Sequence, residues 1–283
     1  MSDRVTTHVP ATTANLGPGY DCLGVALMLG NQVTVSRVAV PVELPPIVEQ
    51  VAEAFFNASE VGRFPFDWEI EGEVPQSRGL GSSVTVRLGV LSGLNALAGS
   101  PLSKEQLFGL CARLEGHPDN AAPAAFGGFT VAGGESISRF PVSLALEFVL
   151  LIPDFEVATP DARRVLPAQL DRLAAVASAA NACRITAAFA TQDYEKLRGA
   201  FTDHFHQPHR LPLIPFLNDV IAAGESAGAL GGFLSGSGST ICCVTLQNAQ
   251  QVAMAMLAAS GQKGARTIIT QADNGGVEIK IRA

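Results

Sequence analysis

What most constrains this chain is a set of three glycine-rich loops: Ala14 to Gly24, Gly79-Leu80-Gly81-Ser82-Ser83, and Ser235-Gly236-Ser237-Gly238-Ser239. The middle loop follows Phe66, Trp68 and Ile70 alternating with Asp67, Glu69 and Glu71, the pattern of a half-buried strand. It opens a segment, running to about Ala98, that is apolar almost all round and therefore a central helix. Glycines in such a loop let backbone N–H groups approach an anion, and the helix adds its positive end. Ser82 and Ser83 offer hydroxyls to a phosphate oxygen or to Mg²⁺. A plainer reading is a tight strand-to-helix turn with Ser82 as N-cap. The loop lacks the Lys-Ser/Thr ending of a Walker A motif and is not G-x-G-x-x-G.

Around these loops the pattern gives strands at Val5 to Val9 and Gln32 to Val38. A helix follows Pro45, with Ile47, Val48, Val51, Ala52, Phe55 and Phe56 on one stripe. Ser103 with Gln106 forms a capping box before Leu107, Leu110 and Leu114. Gly116 to Gly128 reads as irregular and leads to a strand near Phe129, with another strand at Leu146 to Ile152. Two alanine-rich helices are expected from Leu170 to Phe201, and a further helix from Phe216 to Ala227. A helix at 247–259 and strands at 265–271 and 276–282 follow, the last with Val277, Ile279 and Ile281 alternating. Strands in groups with several hairpins favour α+β over a doubly wound sheet.

The 283 residues fit one large or two modest domains. With 47% hydrophobic and 16% charged residues the chain is not a disordered one. Nineteen basic against 26 acidic residues give a net charge of −7, which argues against nucleic acid as the main partner. Five cysteines without a C-x-x-C argue against a disulfide framework or zinc site and fit the reduced thiols of a cytoplasmic protein. The start has no apolar signal core, and the charge-free stretch 226–262 is too broken by Gly, Ser and Gln for a membrane span.

Two further segments concentrate chemistry. Glu115-Gly116-His117-Pro118-Asp119-Asn120 puts two carboxylates, an imidazole and an amide just after a helix, suited to a metal ligand plus substrate donors, or to a solvated turn. His204, His206 and His209 invite a zinc reading, but their spacing does not share a helix face and no cysteine or acid cluster completes a shell. Arg210 beside them can grip a carboxylate through two bonds.

Together the loops resemble the GHMP small-molecule kinases, and within them the members that phosphorylate homoserine. The resemblance rests on P-x-x-x-G-L-G-S-S from Pro75 to Ser83, P-A-T-T-A-N-L-G-P-G-Y-D from Pro10, and L-S-G-S-G from Leu234. The most discriminating pieces are E-G-H-P-D-N-A-A-P-A from Glu115 and H-Q-P-H-R-L-P-L from His206. It spans about Val5 to Leu246. It implies a ribosomal-protein-S5-domain-2-like N-terminal domain (1–145) and a ferredoxin-like C-terminal domain (146–283). The implied reaction is ATP- and Mg²⁺-dependent phosphorylation of the L-homoserine hydroxyl on the route to threonine, in a cytoplasmic enzyme acting as a homodimer, without a nucleic-acid or membrane partner.

The implied residue roles follow the motifs. Pro75, Arg78, Gly79, Leu80, Gly81, Ser82 and Ser83 would wrap the ATP phosphates, and Ser83 with Glu115 would hold Mg²⁺. Asn15 and Asp21 would take the amino end of homoserine, His117 and Asn120 its reacting end, and Arg163 and Arg210 its carboxylate. Thr159 would stand by the γ-phosphate, and Asn120 with Thr159 would align the reacting groups, with no carboxylate acting as base. Ser239 stands where the family usually has proline, and Val84 where it has alanine. No Asn-Leu-Val-type segment occurs between Val38 and Val48, so the adenine pocket is unassigned. A GHMP kinase for another alcohol, of mevalonate type or a sugar, and a non-catalytic sensor are the rival readings.

Overall fold

The computed structural model describes residues 3–133 and 136–280. Strands β1 (Arg4–Ala14) and β2 (Leu23–Arg37) form a long antiparallel hairpin, paired from Arg4↔Ser36 to Ala14↔Gly24. Both are longer than the pattern suggests. The register shifts between Pro10 and Ala11, and a bulge there lets the ladder continue past a residue with no N–H to give. Helix α1 (Pro46–Ser59) buries Val48, Val51, Ala52, Phe55 and Phe56 of the expected stripe and leaves Ile47 half-buried, and β3 (Phe66–Gly72) pairs with β2.

Helix α2 (Ser82–Leu97) lies at the centre, buried on most sides. Helix α3 (Lys104–Glu115) starts at the reciprocal Ser103–Gln106 capping box and stops at Gly116, whose φ is +83°. A six-residue helix, α4 (Ala121–Phe126), occupies the stretch expected to be irregular. Pro123 is its third residue, where the missing N–H would have had no helical partner anyway, and Gly127 at φ +75° ends it. Strands β4 (Phe129–Gly133) and β5 (Ser136–Phe140) follow.

The rest of the chain comprises β6 (Glu147–Ile152), α5 (Thr159–Arg164) and α6 (Arg172–Thr191), a 3-10 turn (Tyr194–Leu197), then α7 (Gln207–Arg210) and α8 (Leu217–Ser226). Next come β7 (Gly231–Leu234), β8 (Ile241–Thr245), α9 (Ala249–Ser260), β9 (Arg266–Gln271) and β10 (Glu278–Lys280). One long helix, α6, stands where the sequence predicts two. Asp171 caps its start by accepting from the N–H groups of Leu173 and Ala174, and Gln192 ends it in the left-handed region.

The first sheet runs β10-β1-β2-β4-β5, with β3 also on β2; the second runs β7-β8-β6-β9, all antiparallel. In chain order the second is 2-3-1-4, the order of a βαββαβ ferredoxin-like unit. Strand β10 pairs with β1, Thr6 opposite Lys280. Of the strand expected at 276–282, Ile281 and Arg282 lie outside the described residues.

One hydrophobic core fills the space between the first sheet and α1 to α3. A second joins the two sheets: Leu23, Val25 and Leu27 of β2 meet Phe148 and Leu150 of β6, and Phe129 stacks on Phe189 of α6 at 4.2 Å. This shared core brings the three glycine loops to one edge.

Candidate active site

A cleft of about 810 Å³ opens at that edge. The middle loop forms one wall. Gly79 and Gly81 have φ +72° and +69°, and neighbouring chain leaves no room for a side chain. A Cβ on Gly79 would come within 2.1 Å of the Ser235 carbonyl oxygen, and one on Gly81 within 2.2 Å of Thr12 Oγ1. Gly81, not Ser82, is the N-cap of α2, and no side chain caps that end. No N–H from Gly79 through Val84 has a partner among the described residues, so a run of donors and the positive end of α2 face the cleft together. Leu80 adds no side chain; it is fully buried, and its carbonyl accepts from the Thr12 N–H. Pro75 lies beside the cleft without lining it. Arg78 lines it, but Nε donates to the Pro153 carbonyl at 3.1 Å, and Asp154 and Glu156 stand near the guanidinium.

The third loop clasps the other two. Ser235 Oγ donates to the Gly79 carbonyl (2.7 Å) and lies 2.8 Å from Thr13 Oγ1, while the Gly236 N–H donates to Ala14. Asn15 is spent in the same way. Its Nδ2 donates to the Gly236 carbonyl and its Oδ1 accepts the Asp21 N–H, each at 2.9 Å.

Glu115 is the last residue of α3, where the helix dipole disfavours an acid. Arg87 offsets this with an ion pair through Nη1, and Ser83 Oγ donates to Glu115 Oε2 at 3.0 Å. Asp119 is 2% exposed; its Oδ1 accepts the Asn120 N–H at 3.0 Å and lies 2.5 Å from His117 Nδ1. Burial pulls the His117 pKa down, but the Asp119 hydrogen bond and charge, helped by Asp21, outweigh it and leave it raised. Asn120 Oδ1 accepts from Thr12 Oγ1 at 2.7 Å. Asp21, His117 and Asp119 bring ligand atoms within 4.8 Å of one another, yet Asp21 is bonded to Arg163 (2.7 Å) and Asp119 to His117, so a hydrogen-bonded network accounts for the cluster.

Arg163, Arg210 and Thr159 complete this end, on α5 and α7, with Tyr20 between the arginines at 5.6 Å from each. The cleft thus gathers every sequence-derived site residue except Pro75 and the Leu80 side chain. Of the three histidines near Arg210, only His206 is fully buried, and none lines the cleft.

The opposite end is not legible in the sequence. Ile47, Trp68, Ile70, Val86 and Leu114 make an apolar mouth. The available signal lies in β3: Phe66, Trp68 and Ile70 share one face, but that face leaves the core along the strand, from 3% exposed at Phe66 to 37% at Ile70.

Residues 46–128 match the model of the GHMP kinase N-terminal domain, and residues 185–262 match that of the GHMP kinase C-terminal domain. The chain is 38% identical over 281 residues to homoserine kinase from Moorella thermoacetica, covering 93% of this chain and 95% of the relative. It is 40% identical over 272 residues to homoserine kinase from Microchaete diplosiphon, with 89% of each covered. The crystal structure of homoserine kinase from Cytophaga hutchinsonii superposes with a TM-score of 0.91 at 26% identity, covering 99% of this chain and 98% of that one.

Proposed function

From a chain that belongs to the GHMP kinase family, and within it to the homoserine kinases, we propose an enzyme that transfers the γ-phosphoryl group of ATP to the side-chain hydroxyl of L-homoserine, in threonine biosynthesis. The observation that carries the reading is the joint lining of one cleft by the unpartnered N–H run at Gly79 to Val84 and by Asp21, Arg163 and Arg210. The first suits a polyphosphate; the other three suit a zwitterionic amino acid. The apolar mouth at Ile47, Trp68 and Ile70 suits a purine ring. We take 1–145 as the ATP-binding unit and 146–283 as the C-terminal unit, whose last strand, β10, returns to complete the first sheet. The five free cysteines support a reducing compartment, the cytoplasm.

Ser83 and Glu115 fit a magnesium ion. Their oxygens stand 3.0 Å apart, and adjacent corners of an octahedron with bonds of 2.0–2.1 Å are about 2.9 Å apart. Mg²⁺ there would neutralise charge on the β- and γ-phosphates. The chain's own residues supply alignment. The Gly79–Ser83 backbone holds the phosphates, Asn120 and Thr159 orient the acceptor hydroxyl and the phosphoryl group, and Asp21 receives the ammonium. As the hydroxyl oxygen bonds to phosphorus and the bridging oxygen leaves with ADP, the hydroxyl proton passes to the transferred phosphoryl group.

ADP release measured with a panel of alcohols (homoserine, mevalonate, sugars) tests the reading; turnover of another alcohol in preference to homoserine would overturn it. Asp119 is committed to His117 and Asn120, so Asp119→Asn is expected to cost less than the ~10²–10⁴-fold of a lost general base. The kcat–pH profile should keep its acid limb, and loss of that limb would make Asp119 the base. Arg163→Ala should raise the homoserine KM roughly 10–150-fold, the equivalent of one charge-assisted hydrogen bond, and leave the ATP KM within a few-fold. Homoserine methyl ester should be a poor substrate for wild type and barely worse for the variant; equal losses on both would remove Arg163 from the carboxylate site.

A further inference from the structure

Arg210 is 2% exposed, and most of its guanidinium is committed to the protein. Nε donates to the Ala162 carbonyl at 3.0 Å. Nη1 donates to the Gly236 carbonyl at 2.9 Å and to His206 Nδ1 at 3.1 Å. Of the five N–H groups of an arginine, three are thus spent, and the two left are both on Nη2. Nη2 makes no hydrogen bond among the described residues, and Arg210 lines the cleft.

The His206 ring is fixed from every side. It is fully buried, and Nε2 lies 2.9 Å from the Gly17 carbonyl, which can only accept. Nε2 therefore carries the proton and Nδ1 is the acceptor that Arg210 needs. Burial pulls the His206 pKa down against the opposing pull of Asp203, with Arg210 adding to the fall, so the ring is neutral. Asp203 accepts the N–H groups of Phe205, His206 and Gln207 at 2.7–2.9 Å and locks the segment. Tyr20 lies against the imidazole at 5.4 Å.

We infer that His206 is a positioning residue: its Nδ1 takes one guanidinium N–H of Arg210 and its Nε2 holds the Gly17 loop, so that Nη2 of Arg210 is the donor aimed at the substrate carboxylate. Gly17 belongs to the loop that carries Asp21, so one ring sets the arginine for one end of the amino acid relative to the carboxylate for the other. This rests on the proposed carboxylate role of Arg210.

The test is a double-mutant cycle read as homoserine KM, ATP KM and kcat. His206→Phe keeps a ring but has no acceptor and should raise the homoserine KM roughly 10–100-fold, as small misplacements of a binding group do, with the ATP KM within about twofold. His206→Gln offers an acceptor oxygen and a donor N–H and should recover most of the loss. In the Arg210→Ala background His206→Phe should cost clearly less than in wild type, because the arginine it positions is gone and only its hold on the Gly17 loop is left to lose. If the Phe variant does not fold, His206→Met takes its place in the cycle. An unchanged homoserine KM in the Phe or Met variant overturns the inference. So does an equal rise in ATP KM, or a full-sized effect in the Arg210→Ala background. An unchanged homoserine KM in Arg210→Ala alone overturns the carboxylate reading and this inference with it; a raised one with a silent His206 variant overturns the inference alone.

Discussion

Replacing Glu115 with Gln is expected to lower kcat by about 10²–10³-fold, the range for loss of one electrostatic stabiliser of a transition state, and to destabilise the fold by about 3 kcal/mol. Two separate causes meet in one side chain. Glu115 pairs with Arg87 through Nη1, both are largely buried, and Arg87 Nε has no hydrogen-bond partner among the described residues. Removing the acid leaves a buried cation uncompensated, which costs more than the pair contributes. Independently, the amide loses the negative charge that Glu115, beside the neutral Ser83 hydroxyl, would offer Mg²⁺. The measurements separate the two. Urea unfolding without nucleotide reads the Arg87 loss, and kcat against Mg²⁺ concentration reads the metal loss, which should appear as a higher Mg²⁺ requirement. Lower stability with unchanged Mg²⁺ dependence would leave Glu115 as the partner of Arg87 only.

Gly79→Ala should be among the most damaging single-methyl changes in the chain. The added carbon would sit 2.1 Å from the Ser235 carbonyl oxygen and 2.9 Å from the Gly238 nitrogen, both backbone atoms that no rotamer change can move. The φ of +72° adds roughly 1–2 kcal/mol of left-handed strain for a residue with a side chain. To relieve the clash the second and third loops must part, breaking the Ser235–Gly79 bond and turning the N–H run away from the phosphates. The ATP KM should rise at least tenfold, with a lower Tm. Gly81→Ala meets Thr12 Oγ1 instead, so its effect should fall first on Asn120, the acceptor of the Thr12 hydroxyl, and hence on kcat. Wild-type ATP affinity and stability in the Gly79→Ala variant would refute the clasp.

Features carried by neighbouring residues are readable from the chain alone. The Ser103–Gln106 capping box needs only four consecutive positions, and the α1 stripe only the helical period. The loop Gly79 to Ser83 is readable as a glycine turn opening a helix for the same reason. The reason Gly81 is glycine is not, because the obstructing atom belongs to Thr12, far away in the sequence. The third loop reads equally well as a second cradle or a bulged hairpin, and only its bonds to Gly79 and Ala14 reveal the clasp. Arg210 stands out in the sequence as a cation, with His206 four residues before it; that it is buried, with three of its N–H groups spent, depends also on Ala162 and Gly236 arriving from separate elements. Helix α4 escapes because six residues are too few for a periodic pattern to emerge.

The return of β10 to the edge of β1 sets a timetable for making the protein. Thr6 pairs with Lys280, Leu27 bridges to Ala272, and Ala26 and Gly128 bond to the backbone of Asp273. The first sheet therefore waits, with one edge open, until residues 272–280 have been synthesised, although its other strands are finished by residue 140. Such distant pairings are slow to close. An unprotected strand edge also invites pairing with other chains in the interval. The same late segment closes over the backbone between α4 and β4, so a nascent chain holding all of the Gly79–Ser83 loop still lacks its finished support.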